Sequence, residues 1–335
     1  MLQRLRLGLS IVGLAIVGAA CVLSFRGPTN IDFAAFWALP PSLPYPPPYR
    51  LLLEPLGALP YGIAFTSWVC LTGALWIAVF RRPHPLAVFN GLIGQNGLLT
   101  SAIVVGGLEL LSANPAVGGA ILGCMILKPH LALLLPVAVI AGRKWKAIAP
   151  AFAVASLWCL AGLFAFGVSG YERSFANAAH YAANLRSGVW SWDRLASVYG
   201  LFRWLGAGDL LAMLFQGAAA ITATVVVAIA WRRDVPGKVA LTATASLLVS
   251  PYVFSYDCLL LAACGNPVVW LLACLPLLGS FGLYHGPNLL PIAALIALGW
   301  PMPFVHRSIL APTSGDRSGA QTAEAEAEGL LSPAK

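Results

Sequence analysis

An aspartate stands in an apolar, aromatic stretch, Thr29-Asn30-Ile31-Asp32-Phe33-Ala34-Ala35-Phe36-Trp37, a few residues beyond a long hydrophobic run. A carboxylate held against aromatic side chains at a membrane surface is partly desolvated, which raises its pKa and makes it a better proton acceptor. The plainer alternative for Asp32 is a helix N-cap or an interfacial loop acid. Lys128, in Lys128-Pro129-His130, follows a segment so apolar that its ammonium needs water or an anion. At a broken helix end such a lysine holds a phosphate as a point charge, or else snorkels to the interface. Gln95, in Gly94-Gln95-Asn96, interrupts another apolar run, and Ser250-Pro251-Tyr252 with Tyr256-Asp257 forms a polar knot where capping competes with binding. His130, His180 and His285 lack metal-ligand spacing and read as structural. Glu109 reads as an acid near the inner interface or paired with a helix neighbour.

These residues must be positioned by a membrane domain. Of 335 residues, 59% are hydrophobic and 10% charged, against the roughly 25% charged that a soluble surface requires. Mean hydropathy is +0.82. The net charge of +8 does not indicate nucleic acid, because the basic residues fall in short clusters between apolar runs, the positive-inside distribution. The seven cysteines lie in or beside apolar segments without a CxxC pair, which supports neither zinc nor a disulfide framework. The expected fold is an all-α polytopic bundle of 10 to 12 transmembrane helices, with short broken helices and outer loops.

The apolar run over 7–25 reads as a retained first helix anchored inside by Arg4 and Arg6. An outer, proline-dense segment over 26–58 follows, in which Tyr45-Pro46-Pro47-Pro48-Tyr49-Arg50 reads as a stiff extended or polyproline connection. A helix over 59–80 returns to Arg81-Arg82. Between that cluster and Arg143-Lys144-Trp145-Lys146 the number of crossings must be even, and four short segments fit: 86–95, 97–111, 115–127 and 130–142. They put Gln95 and Lys128 on the outer side with Asp32. Further segments are expected over 147–168, 208–231 and 239–254, then two or three crossings within 258–304. The stretch 169–206 reads as a second outer loop, re-entrant near its end. Residues 1–310 form one transmembrane domain, and 311–335 a disordered cytoplasmic tail. Eleven basic residues fall on the proposed inner side and seven outside: Arg26, Arg50, Lys128, Arg173, Arg186, Arg194 and Arg203. That outer surplus exceeds what orientation needs and suits an anionic lipid phosphate.

The order of these motifs carries more than any one of them. Asp32-Phe33 with Phe36-Trp37, then Tyr45-Pro46-Pro47 and Pro55-Leu56-Gly57 before the second helix, Gly94-Gln95-Asn96, Lys128-Pro129-His130 leading to Arg143-Lys144-Trp145-Lys146-Ala147, and finally Ser250-Pro251-Tyr252 and Tyr256-Asp257 resemble glycosyltransferase family 87. These are bacterial transferases of the GT-C class that use polyprenyl-phosphate sugars. The resemblance covers about 1–265, and the segment from Phe33 to Pro44 is shorter than the family's usual first outer loop. It implies an inverting hexosyltransferase of the bacterial inner membrane, its active site facing the periplasm. A mannose-like hexose would pass from a polyprenyl-phosphate sugar to a lipid or glycan acceptor, with Asp32 as the catalytic base. Lys128, with Arg186 or Arg194, would stabilise the leaving phosphate, while Gln95, Tyr256 and Asp257 would bind the sugar. No cofactor and no metal-ligating residue is called for, a divalent metal being left open, and the partners are membrane lipids, donor and acceptor. A lipid-linked-saccharide flippase and a non-catalytic paralogue in envelope polysaccharide assembly are the alternatives.

Overall fold

The computed structural model describes residues 2–28, 31–81, 84–189 and 191–299; the expected tail over 311–335 lies outside them. Among the described residues there are fifteen α-helices and no β-strand. They are α1 (Leu2–Ser24), α2 (Ile31–Ala38), α3 (Pro47–Gly57), α4 (Tyr61–Phe80), α5 (Pro85–Ile93), α6 (Gly97–Ala113), α7 (Pro115–Gly123), α8 (Leu135–Ala141), α9 (Ile148–Ser187), α10 (Val198–Trp204), α11 (Asp209–Arg232), α12 (Lys238–Val249), α13 (Pro267–Leu272), α14 (Leu275–Ser280) and α15 (Leu290–Gly299). Three apolar helical stretches, Tyr61–Phe80, Trp145–Ser187 and Asp209–Arg232, are long enough to cross a membrane. Seven shorter apolar helices complete the bundle. This is a polytopic membrane protein, and Phe152, Leu157 and Phe164 on α9 point outward as lipid-facing side chains do.

The helix breaks between Arg81 and Arg143 coincide with the polar interruptions in the sequence. Gly94 ends α5 in a left-handed conformation (φ +67°) that a side chain rarely adopts. Asn114 caps α7 by accepting from the Val117 N–H at 3.3 Å. Short 3₁₀ turns over Cys124–Leu127 and Pro129–Leu131 deliver Lys128 and His130 between α7 and α8.

Both expected outer loops are largely helical. The proline run is not a polyproline spacer: only Pro46 is extended, and Pro47 and Pro48 open α3. Proline is tolerated there because the first-turn N–H groups have no intrahelical partner. The segment over 169–206 is likewise no open loop, since α9 bends at Gly167 (φ +64°) and resumes to Ser187. Polar side chains tie this second half down: Asn177 donates to the carbonyls of Pro41 and Leu43, and Ser174 to that of Tyr45. Those bonds satisfy loop carbonyls that would otherwise be left unpaired. The region 258–281, part of the two or three crossings expected within 258–304, consists of a 3₁₀ turn over Asp257–Ala263 followed by α13 and α14. Pro267 and Pro276 force those restarts.

Candidate active site

The aromatic residues of the segment between α1 and α4 act as an anchor. Phe33 and Phe36 on α2 are fully buried, and Phe33 meets Phe65 and Tyr61 of α4 edge-on at 5.2 and 5.5 Å. Phe36 packs on Tyr45, Tyr49 and Trp68. Such edge-to-face pairs add about 0.5–1.5 kcal/mol each beyond area burial, enough to hold a two-turn helix that could not persist alone. Asp32 is therefore pinned, half-buried, in the first turn of α2 beside Phe33. Burial raises its carboxyl above the usual carboxylate range, and the Arg194 charge draws it part of the way back. Asp32 thus lies within electrostatic reach of Arg194.

A second polar group lies where the short helices end. Lys128, 4% exposed, is ion-paired with the fully buried Asp257 and also donates to Asn96 Oδ1 at 2.6 Å. The other Asp257 oxygen accepts the Phe254 N–H at 3.1 Å and faces His130 Nε2 at 3.9 Å. Lys128 also lies 4.7 Å over the Tyr256 ring. Asn90 donates to the Tyr256 carbonyl at 3.1 Å, fastening the 254–257 turn onto α5. Gly97 makes this possible, because a Cβ there would strike both the Tyr256 carbonyl and the Asn90 amide. Tyr49 Oη stands beside Asn96 without an ordinary hydrogen bond.

Tyr45 joins the two groups. Its hydroxyl is pushed well up by burial and by the nearby Tyr49, Tyr252, Asp257 and Asp32. Tyr256 likewise feels both Asp32 and Asp257. Helix lengths set the depth: α12 has 12 residues and α11 has 24, about 18 and 36 Å. The turn after α12 is thus recessed about half the length of α11 from the end at Arg232.

Arg194 also lines a cavity of about 350 Å³, together with Asp193, Ser255, Ser280, His285 and Asn288 among others. Asp193 Oδ1 is buried without a partner. Asn288 donates to Ser255 at 2.9 Å.

Of the residues singled out in the sequence, Asp32, Arg194, Tyr256, Asp257 and Lys128 share this neighbourhood. Gln95 is buried beside it, its side-chain oxygen meeting the Asn96 N–H at a long 3.4 Å. Arg186 is directed elsewhere: its carbonyl accepts from Arg203 and its charge faces Tyr199. Arg203 stacks on Trp192 at 4.4 Å and Arg50 lies over Phe166 at 5.6 Å, so part of the outer basic surplus serves packing. Lys128 finds its anion inside the protein. Sequence reasoning passed over Asn90 and Asp193, and quoted Asn96 and Tyr45 within motifs without giving either a role; the two amides, six residues apart in an apolar run, were the available signal. Among the described residues no three His, Cys, Asp or Glu side chains are grouped to hold a metal ion.

The family model for glycosyltransferase family 87 matches residues 43–251, while no curated protein and no solved structure matches the chain. The matched span holds Gln95, Lys128, Arg186 and Arg194; Asp32, Tyr256 and Asp257 lie outside it and are joined to it by the contacts above. Covering well over half the sequence, the match shows that this membrane protein belongs to glycosyltransferase family 87.

Proposed function

We propose that the protein transfers a mannose-like hexose from a polyprenyl-phosphate sugar to a lipid or glycan acceptor at the periplasmic face of a bacterial inner membrane, with inversion. The observation that carries this reading is the proximity of a desolvated carboxylate, Asp32, to a guanidinium, Arg194, that lines an open cavity. The acceptor hydroxyl oxygen attacks the anomeric carbon, its proton passes to Asp32, and the bond from that carbon to the phosphate oxygen breaks. Polyprenyl phosphate leaves as an anion that Arg194 stabilises without protonating it. Asp193 lines the same cavity, and its carboxylate accepts from a sugar hydroxyl there.

Lys128 and Asp257 take a different part from the one their sequence context suggests. Their charges cancel, so they fix the 254–257 turn and the Tyr256 ring against the sugar and leave the phosphate to Arg194. Gln95 supports Asn96 in the same frame. The test is sugar transfer by membranes supplied with a polyprenyl-phosphate hexose. Asp32→Asn should lower the rate by about 10²- to 10⁴-fold at unchanged protein abundance. An unchanged rate would remove Asp32 as the base. A cysteine at the exposed Ala38, at the end of α2, should react with an impermeant maleimide applied from outside, and protection there would overturn the outward orientation.

A further inference from the structure

The far end of α11 carries a second charged concavity. Between the end of α8, the end of α11 and the start of α12 lies a cavity of about 370 Å³, lined by Arg143, Lys144, Trp231, Arg232, Asp234 and Lys238. Four cations converge there on a single acid. Asp234 is ion-paired with Lys238, which also lies 4.8 Å over the Trp231 ring, so one cation is already matched. Arg143 and Asp234 both adopt left-handed backbone conformations (φ 53°) in the turns that build the walls. Non-glycine residues enter that region at a cost, which the converging turns sustain.

Orientation of a membrane protein requires basic residues near helix ends but does not require them to face one hollow. Close by in the chain, Ile140 precedes Arg143, Trp145 and Ile148 follow Lys144, and Ile229 lies one turn before Arg232, and each is more than 40% exposed. A basic hollow at the end of the spanning helix α11, with outward apolar side chains on the neighbouring turns, matches a phosphate head group whose acyl chains lie along the bundle. A soluble anion would gain nothing from those apolar side chains.

We infer that this hollow binds the head group of an anionic phospholipid, at the membrane face opposite the Asp32 site and independently of the sugar chemistry proposed there. The experiment uses the full chain in micelles, titrated with phosphatidylglycerol or phosphatidylcholine and read by native mass spectrometry. Phosphatidylglycerol should be retained preferentially. Each lost cation should weaken it about fivefold, so the combined R143Q, K144Q and R232Q variant should bind about 100-fold more weakly. Asp234→Asn, which removes the acid and keeps a residue that tolerates the left-handed conformation, should tighten binding about fivefold, and it carries the test if the triple variant fails to fold. Millimolar inorganic phosphate should not displace the lipid. Equal retention of both lipids, indifference to Asp234→Asn, or displacement by phosphate would each overturn the inference, the last in favour of a soluble anion.

Discussion

Replacing Lys128 by methionine keeps the length of the side chain and removes its charge. Asp257, fully buried, would be left with the Phe254 N–H at 3.1 Å and His130 at 3.9 Å. Removing one partner of a buried ion pair costs about 3–5 kcal/mol, because the remaining charge stays desolvated. For a chain of this size about 1 kcal/mol corresponds to roughly 2 °C in Tm, so the Lys128→Met variant should melt about 6–10 °C lower. Asp257→Leu in the same chain removes the stranded charge. The double variant should recover most of the loss, less the cost of an unpaired Phe254 N–H, about 1–3 kcal/mol. Thermal unfolding of solubilised protein, followed by size-exclusion chromatography, measures all three. A Lys128→Met variant within 1 °C of the parent, or a double variant melting as low as the single one, would refute the argument that these two charges exist for one another.

Arg194→Gln removes the cation that lowers the Asp32 pKa, so the acid limb of the transfer rate should move to higher pH as the maximal rate falls; an unmoved limb would separate the two residues. Because burial raises the Asp32 pKa in the folded state, its stabilising contribution is complete below the unfolded pKa and is lost as pH rises through the folded value. Asp32→Asn should therefore be at least as stable as the parent at neutral pH, and a lower Tm would count against a desolvated carboxylate. Gly97→Ala should cost about 3 kcal/mol by driving the Tyr256 carbonyl off α6, seen as a lower Tm and a parallel loss of transfer.

Much of the architecture was legible in the order of apolar runs. The breaks at Gly94, Asn114 and Lys128 stand where a spanning helix would otherwise strand a polar group, so hydropathy together with the flanking basic clusters located them. Period and polarity misread the segments outside the long helices. Residues 169–187 are polar enough for a loop, yet they continue as helix, where Ser174 and Asn177 bond the carbonyls of Tyr45 and Pro41 between α2 and α3. No local pattern reveals a partner some 130 residues away.

The sequence by itself determined that this is a membrane protein with few charges, and therefore which residues could do chemistry. It also fixed Asp32 among aromatics, since Phe33 and Phe36 follow it directly. Which charges meet was decided only by the tertiary fold. Lys128 and Asp257 lie 129 positions apart and neutralise one another, whereas Arg194 reaches Asp32 and Arg186, eight residues earlier, turns to Tyr199. Charge attraction in a low-dielectric interior depends on separation in space, and separation along the chain does not set it.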